Sequence, residues 1–548
     1  MSLLTILIVF IWLVGTCIRI YRQARFFQIE EYMNGRYLRW LLRERARWLP
    51  ARPIIAALAG GVLGFFTDNI PGQMNILPHL LGLVAASVAI WPPDEGEIKK
   101  KFVRTQRATR LLTAAFVIAI GVAITSLLVL ANMTLSTDRS QALAATLLGC
   151  LIFLLAPIWL VLGNIAMIPV EQFMRQRFLN QAQRIMAEIH PRVVAITGSY
   201  GKTTTKNYVR DILNGRYKAY ATPKSYNTLM GISLAINRDL VDDYSIDYFI
   251  AEMGMYVPGE IAELCRFTPP DVSIVVEVGP QHLERAGSME AIANAKYEII
   301  QGLTPTGVGI FNWDNDYIRA MYERGYPQTR IAVTRQLSVE EATAKGVRLV
   351  ASDISESLDG LSFTVTDTST GAHEALQSPI VGIHNVTNLL LAAAVALHEG
   401  MSLGDIAYRV RLLQPPESRL VRQATASGIT IINDSYSTNP VGAISALQVL
   451  GLHQGGRRVL ITPGMVELGS VQEAENRELG IQAARYATDI ILVGKQQTQP
   501  IQAGIATTDF PQDHLQVVET LSEATSWYQA HLRAGDAVLF LNDLPDTY

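Results

Sequence analysis

The sequence predicts a multi-span α-helical membrane domain followed by an α/β body. That body has a central domain on a mostly parallel sheet and a Rossmann-like C-terminal α/β domain. Three observations lead there. Nearly all long apolar runs of the 548-residue chain lie before residue 170, although apolar residues make up 49% of the whole. At Val193–Thr204, four apolar or β-branched residues, a glycine turn and Lys-Thr-Thr follow in the order strand, turn, helix. Beyond that point short β-branched runs alternate with amphipathic helical patterns. The expected division is a membrane domain over 1–170, a linker helix over 171–192, a central domain over 193–415 and a C-terminal domain over 416–548.

The apolar runs are Leu3–Ile18, Ile54–Phe66, Ile76–Trp91, Leu111–Ala131 and Ala142–Ile168. The last two are long enough to cross a bilayer core of about 30 Å, and the first is near the lower limit. Ile54–Phe66 is too short by itself; it recruits flanking residues or pairs with Ile76–Trp91 as a re-entrant hairpin. A signal peptide is the alternative for the first run, but it lacks a charged n-region and a small-residue cleavage site. Arginines crowd the stretch from Arg19 to Arg52, and Lys99–Lys101, Arg104, Arg107 and Arg110 follow the third run. The alternate loops, Thr67–Asn75 and Asn132–Ser140, hold only Arg139. Five spans with the N-terminus outside and everything after Ile168 in the cytoplasm satisfy the positive-inside rule. The runs carry essentially no charge, which argues against a transport path. Glu171–Ile189 reads as a helix lying on the membrane surface or packed on the next domain.

The net charge of −3 gives no global field for nucleic acid. Cys17, Cys150 and Cys265 are not paired by spacing, so neither a disulfide framework nor a zinc site is indicated.

The chemistry begins at Thr197-Gly198-Ser199-Tyr200-Gly201-Lys202-Thr203-Thr204. Strand, glycine turn and helix start aim backbone N–H groups and the Lys202 ammonium at one point, which suits a polyphosphate. Thr203 is placed to hold the accompanying Mg²⁺. The usual P-loop has four residues between its first glycine and Gly-Lys; here there are two. Downstream, the run Ile246–Gly254 is an apolar strand ending in Glu252, an acid suited to completing Mg²⁺ coordination. Val272–Val276 leads into Gly279-Pro280-Gln281-His282-Leu283-Glu284, and a later helix carries Ala295-Lys296-Tyr297-Glu298. Taken alone, His282 reads as a structural histidine and Lys296 as a solvated helix face.

Set in order, these motifs, together with Tyr226–Gly231, Pro258–Ile261, Gly382–Asn388, Asp434–Pro440 and Glu467–Gly469, closely resemble the Mur ligase family. Within it they are similar to the branch that adds D-alanyl-D-alanine. The resemblance covers roughly residues 193 to 540. It implies an ATP-dependent ligase that phosphorylates a substrate carboxylate and lets an amine displace phosphate, in cell-wall precursor synthesis. It further implies that Gly198, Ser199, Gly201, Lys202, Thr203 and Thr204 bind ATP, with Thr203 and Glu252 on one Mg²⁺. His282 would hold a second Mg²⁺, with Lys296 carbamylated as a metal ligand, making Lys202, His282 and Lys296 the catalytic set. Asn388 matches a position near the adenine, Arg419 an interdomain arginine and Asp434 a C-terminal nucleotide contact. Asn312 and Asp314 are further candidates for the nucleotide pocket.

The departures concern substrate. The membrane segment stands where the family carries its uridine-nucleotide domain, Ser418 replaces a glycine, and Asn542–Tyr548 replaces a Lys-Gly-Ser-type segment. The expectation is therefore an enzyme of the inner membrane with cytoplasmic catalytic domains. Its partners are ATP, membrane lipids, an amine such as a dipeptide or amino acid, and a carboxylate acceptor such as a lipid-linked peptidoglycan precursor. A nucleotide-binding scaffold without full ligase activity is the alternative. A P-loop transport ATPase is disfavoured, since no Leu-Ser-Gly-Gly-Gln signature is present.

Overall fold

The computed structural model describes residues 2–44, 48–67, 76–91, 102–132, 137–223, 226–281, 283–414, 420–435, 439–466 and 468–542. His282, Ser418, Arg419, Glu467 and most of the Asn542–Tyr548 segment fall outside that set. The chain divides into two compact units, Met1–Arg177 and Phe178–Tyr548.

Among its described residues the first unit is helical. Leu3–Ile29, Gln106–Asn132 and Ala156–Ile189 are each long and apolar enough to cross a membrane. Ala51–Phe65, Leu77–Ser87 and Asp138–Leu154 are shorter, at 15, 11 and 17 residues. Close approach of helices depends on small residues: a Cβ on Gly149 would lie 2.4 Å from Trp12 Cδ1.

Three sequence expectations change here. The run Ala142–Ile168 is not one helix but two, broken at Leu155. Pro157 explains the break, because it has no N–H and its ring crowds the carbonyl four residues back. That carbonyl, Phe153 O, accepts instead from Arg19 Nη1 at 2.7 Å, while Trp159 Nε1 donates to Ile152 O at 2.9 Å. The first helix also runs beyond Ile18 to Ile29 and buries Arg19, so a charge sits inside the helical packing. The segment Glu171–Ile189 likewise does not start a new helix; it continues the 34-residue helix Ala156–Ile189 through Pro169.

The second unit holds two sheets. The larger has strands β1 (Arg192–Thr197), β2 (Ala219–Ala221), β3 (Tyr248–Glu252), β4 (Val272–Val275) and β5 (Val308–Asn312). It continues with β6 (Thr329–Thr334), β7 (Leu349–Ser357), β8 (Gly360–Asp367) and β9 (His373–Ser378). Their spatial order is β2-β3-β1-β4-β5-β6-β7-β8-β9. β2 through β7 are parallel. A parallel sheet is buried on both faces, and β1 shows it. Val194 and Ile196 enter one core with the helix His384–His398, while Val193 and Ala195 enter the other with the helix Met289–Gln301. β7, β8 and β9 extend the sheet as antiparallel hairpins. The second half of β7 alternates half-buried and exposed residues, the pattern of an antiparallel strand with one wet face.

The smaller sheet has β10 (Val421–Ala424), β11 (Thr430–Asp434), β12 (Arg458–Thr462), β13 (Asp489–Val493), β14 (Leu515–Val518) and β15 (Ala537–Leu541). Its order is β10-β11-β15-β12-β13-β14, parallel except for the β10–β11 pair.

In the larger sheet the chain leaves β1 toward β3 and β2 on one side, then returns to β4 on the other. Such a reversal opens a crevice at the carboxyl ends of the strands. The glycine turn lies there.

Candidate nucleotide and metal site

Gly201 ends the turn at φ +75° and serves as N-cap of the helix Lys202–Leu213 without a side-chain cap. The left-handed φ favours glycine. Space enforces it as well, since a Cβ there would lie 2.8 Å from both Asn388 Oδ1 and Val276 Cγ1. Ser199 braces the turn: its hydroxyl donates to Gly279 O and accepts from Gly279 N, each at 2.9 Å, and its N–H donates to Glu277 O. Lys202 Nζ folds over the turn, donating to Gly198 O at 2.6 Å and Ser199 O at 3.2 Å. With the uncapped helix start beneath it, the turn joins an ammonium to backbone N–H groups that suit an anion.

Pairing Ile196 with Glu252 sets the end of β3 beside the turn. Thr203 Oγ1 donates to Glu252 Oε2 at 2.8 Å, and Asn227 Nδ2 lies 3.5 Å from Oε1. The two predicted oxygen donors are thus brought together. They fit Mg²⁺ by donor chemistry: it is a hard cation that uses one or two protein oxygens and fills its shell with phosphates and water. Among the described residues no group of three His, Cys, Asp or Glu side chains gathers as a metal cage.

Lys296, on the helix Met289–Gln301, is 5% exposed. Burial first, then the positive charge of Lys202, holds its ammonium well below the ordinary lysine range. Both effects favour the neutral amine over the ammonium.

A cleft of about 230 Å³ runs from the turn to the smaller sheet, lined among others by Gly201, Thr204, Glu277, Asn312, Asp314, Arg335, Asn388, Asp434 and Asn439. Asn388 donates to Asn385 Oδ1 at 2.9 Å and accepts from Thr205 Oγ1 at 3.2 Å. Asn312 donates to Val276 O and to Glu277 Oε2, each at 3.0 Å. Asp314 accepts from Thr334 Oγ1 and from Arg335 N, and Arg335 Nε reaches Thr387 Oγ1 at 3.1 Å. Asp434 accepts from Leu420 N at 3.1 Å. His384 Nδ1 lies 2.8 Å from Ser445 Oγ, linking the two sheets' helices across the cleft.

Sequence reasoning missed Glu277, Arg335 and Lys206. Burial pushes the Glu277 carboxyl up to about 7, moderated by Asn315 and Arg335. Lys206, 1% exposed, donates to Glu252 Oε2 at 3.2 Å. Each had a signal. Glu277 lies two residues past the carboxyl end of β4, Arg335 directly follows β6, and Lys206 sits one helical turn after Thr203.

Residues 196–396 match the Mur ligase middle domain, and 418–542 match the Mur ligase, glutamate ligase domain. The chain belongs to the Mur ligase family. It is 33% identical over 300 residues to the UDP-N-acetylmuramoyl-tripeptide–D-alanyl-D-alanine ligase of Bacillus subtilis, a match covering 55% of this chain and 62% of that one. The Escherichia coli ligase of the same name is 32% identical over 324 residues, with 59% and 69% covered. A crystal structure of MurF from Acinetobacter baumannii superposes with a TM-score of 0.57 at 26% identity, covering 67% of this chain and 77% of that one. The chain thus spans only 62% of the length of the Bacillus relative it matches.

Proposed function

We propose that the chain is a membrane-bound, ATP-dependent carboxylate–amine ligase of the MurF type, acting on a peptidoglycan precursor. The observation that carries the reading is the meeting of Thr203 with Glu252 beside the Lys202 turn. Lys202 and the turn's N–H groups hold the β- and γ-phosphates of ATP, while the cleft from Gly201 to Asn388 and Asp434 takes the nucleoside. Mg²⁺, held by Thr203 and Glu252, supplies charge neutralisation on the transferring phosphoryl group. Lys296 would add its amine nitrogen to CO₂, give up a proton to solvent and become a carbamate, a carboxylate-like group that the family resemblance pairs with His282 as a metal ligand. Arg419 adds positive charge to the phosphates. The acceptor carboxylate attacks the γ-phosphorus and releases ADP. An amine then attacks the acyl phosphate, forming the amide and freeing inorganic phosphate.

The three long apolar helices support placement in the inner membrane with the ATP site on the cytoplasmic side. There the acceptor is a lipid-linked precursor in place of a soluble nucleotide sugar, and the amine is a dipeptide such as D-alanyl-D-alanine. The test is ADP release by the full chain in detergent, with lipid-linked and UDP-linked muramoyl tripeptide offered separately. Turnover with the lipid-linked acceptor is expected. Turnover confined to the UDP-linked acceptor removes the lipid assignment, and ADP release with neither removes the ligase reading.

A further inference from the structure

Glu252 and Lys206 are both almost fully buried, at 2% and 1% exposure. An unpaired charge is not kept in such a place, so the two must be balanced. Thr203 and Lys206 stand three residues apart on the helix Lys202–Leu213 and therefore share the face turned toward β3. Both donate to the same oxygen, Oε2 of Glu252, at 2.8 and 3.2 Å. The hydroxyl offers an additional oxygen to a cation, whereas the ammonium competes with one for the same carboxylate.

We propose that Lys206 is a positioning residue that serves as resident counter-cation of this corner. It holds Glu252 toward Thr203 and cancels the carboxylate's charge, so a free divalent ion finds little net attraction there. The ion binds well only when polyphosphate arrives with it and supplies the missing negative charge. Lys206 thereby makes metal binding conditional on nucleotide and keeps the catalytic corner free of metal between turnovers. The inference rests on the reading of Thr203 and Glu252 as the divalent-ion ligands.

The test is Mn²⁺ binding to the full chain in detergent, followed by electron paramagnetic resonance with and without ADP. In the wild type, ADP is expected to tighten Mn²⁺ binding by at least about tenfold. Without ADP, Lys206→Met is expected to bind Mn²⁺ about tenfold more tightly than the wild type, because a repelling unit charge is gone. Lys206→Arg keeps the charge and should stay within about twofold of the wild type. The double variant Lys206→Met/Glu252→Gln should lose the gain. Equal Mn²⁺ affinity with and without ADP in the wild type overturns the proposal even if Lys206→Met fails to fold. Unchanged or weaker nucleotide-free binding in a folded Lys206→Met chain overturns it as well. Should Glu252→Gln leave Mn²⁺·ADP binding intact, the metal assignment falls and takes the role of Lys206 with it.

Discussion

Lys206 and Lys296 are two buried lysines in the same unit, treated in opposite ways by their surroundings. Lys206 lies behind the phosphate turn with a carboxylate 3.2 Å away, so its charge is balanced. Lys296 lies on a helix across the sheet, where burial first and then the Lys202 charge both disfavour its ammonium form. Burial alone does not fix what a lysine does; its neighbours' charge does. One of these residues is paired with a carboxylate, whereas the other is buried beside a second positive charge.

The comparison can be broken by substitution. The largest effect is expected for Lys206→Met, which leaves Glu252 buried without its partner and should lower stability by about 3–5 kcal/mol. Thermal melts of the full chain should show the loss, with partial recovery when Mg²⁺ and ADP are added. Next is Lys296→Ala, for which steady-state assays should find turnover lower by roughly 10²–10³, the scale of losing a preorganised electrostatic group. Arginine separates the two sites. It should largely preserve function at position 206 and abolish it at 296, because a guanidinium stays charged and takes up no CO₂.

A third test concerns Glu277, whose folded value of about 7 lies above the ordinary 4.5. Between those values the folded chain keeps a proton that the unfolded chain has released. Stability therefore falls as pH rises through the window and levels off above it. This contribution is worth up to ~3 kcal/mol and should vanish in Glu277→Gln. The measurement is the pH dependence of the melting temperature of both chains. The smallest effect is expected for Gly201→Ala, at about 1–2 kcal/mol for a left-handed backbone. Crowding against Asn388 Oδ1 should also appear as weaker nucleotide binding in a titration.

Much of this site was legible in the sequence because strand, turn and helix are local. Val193–Leu213 forms the expected units, and β3 ends on Glu252 as its apolar run foretold. Lys296 was different. Its helix could be read, but its burial depends on packing against the sheet, and only the family resemblance singled it out. Lys206 was passed over because a lysine after a phosphate turn ordinarily reads as solvated; its partner lies 46 residues away. Glu277 and Arg335 line one cleft because parallel strands bring their carboxyl ends to the same side of the sheet. In the first unit, hydropathy found the apolar segments but not the break before Pro157. The role of Arg19 in capping Phe153 O is likewise a tertiary fact.

The central claim is that ATP activates a carboxylate. It is tested most directly by giving the full chain in detergent an acceptor whose carboxylate is labelled with ¹⁸O, along with ATP and D-alanyl-D-alanine. An acyl phosphate passes one carboxylate oxygen to the phosphate that leaves, so inorganic phosphate carrying ¹⁸O is expected in step with amide formed. Unlabelled phosphate, or ATP bound without any phosphate released, would contradict the account.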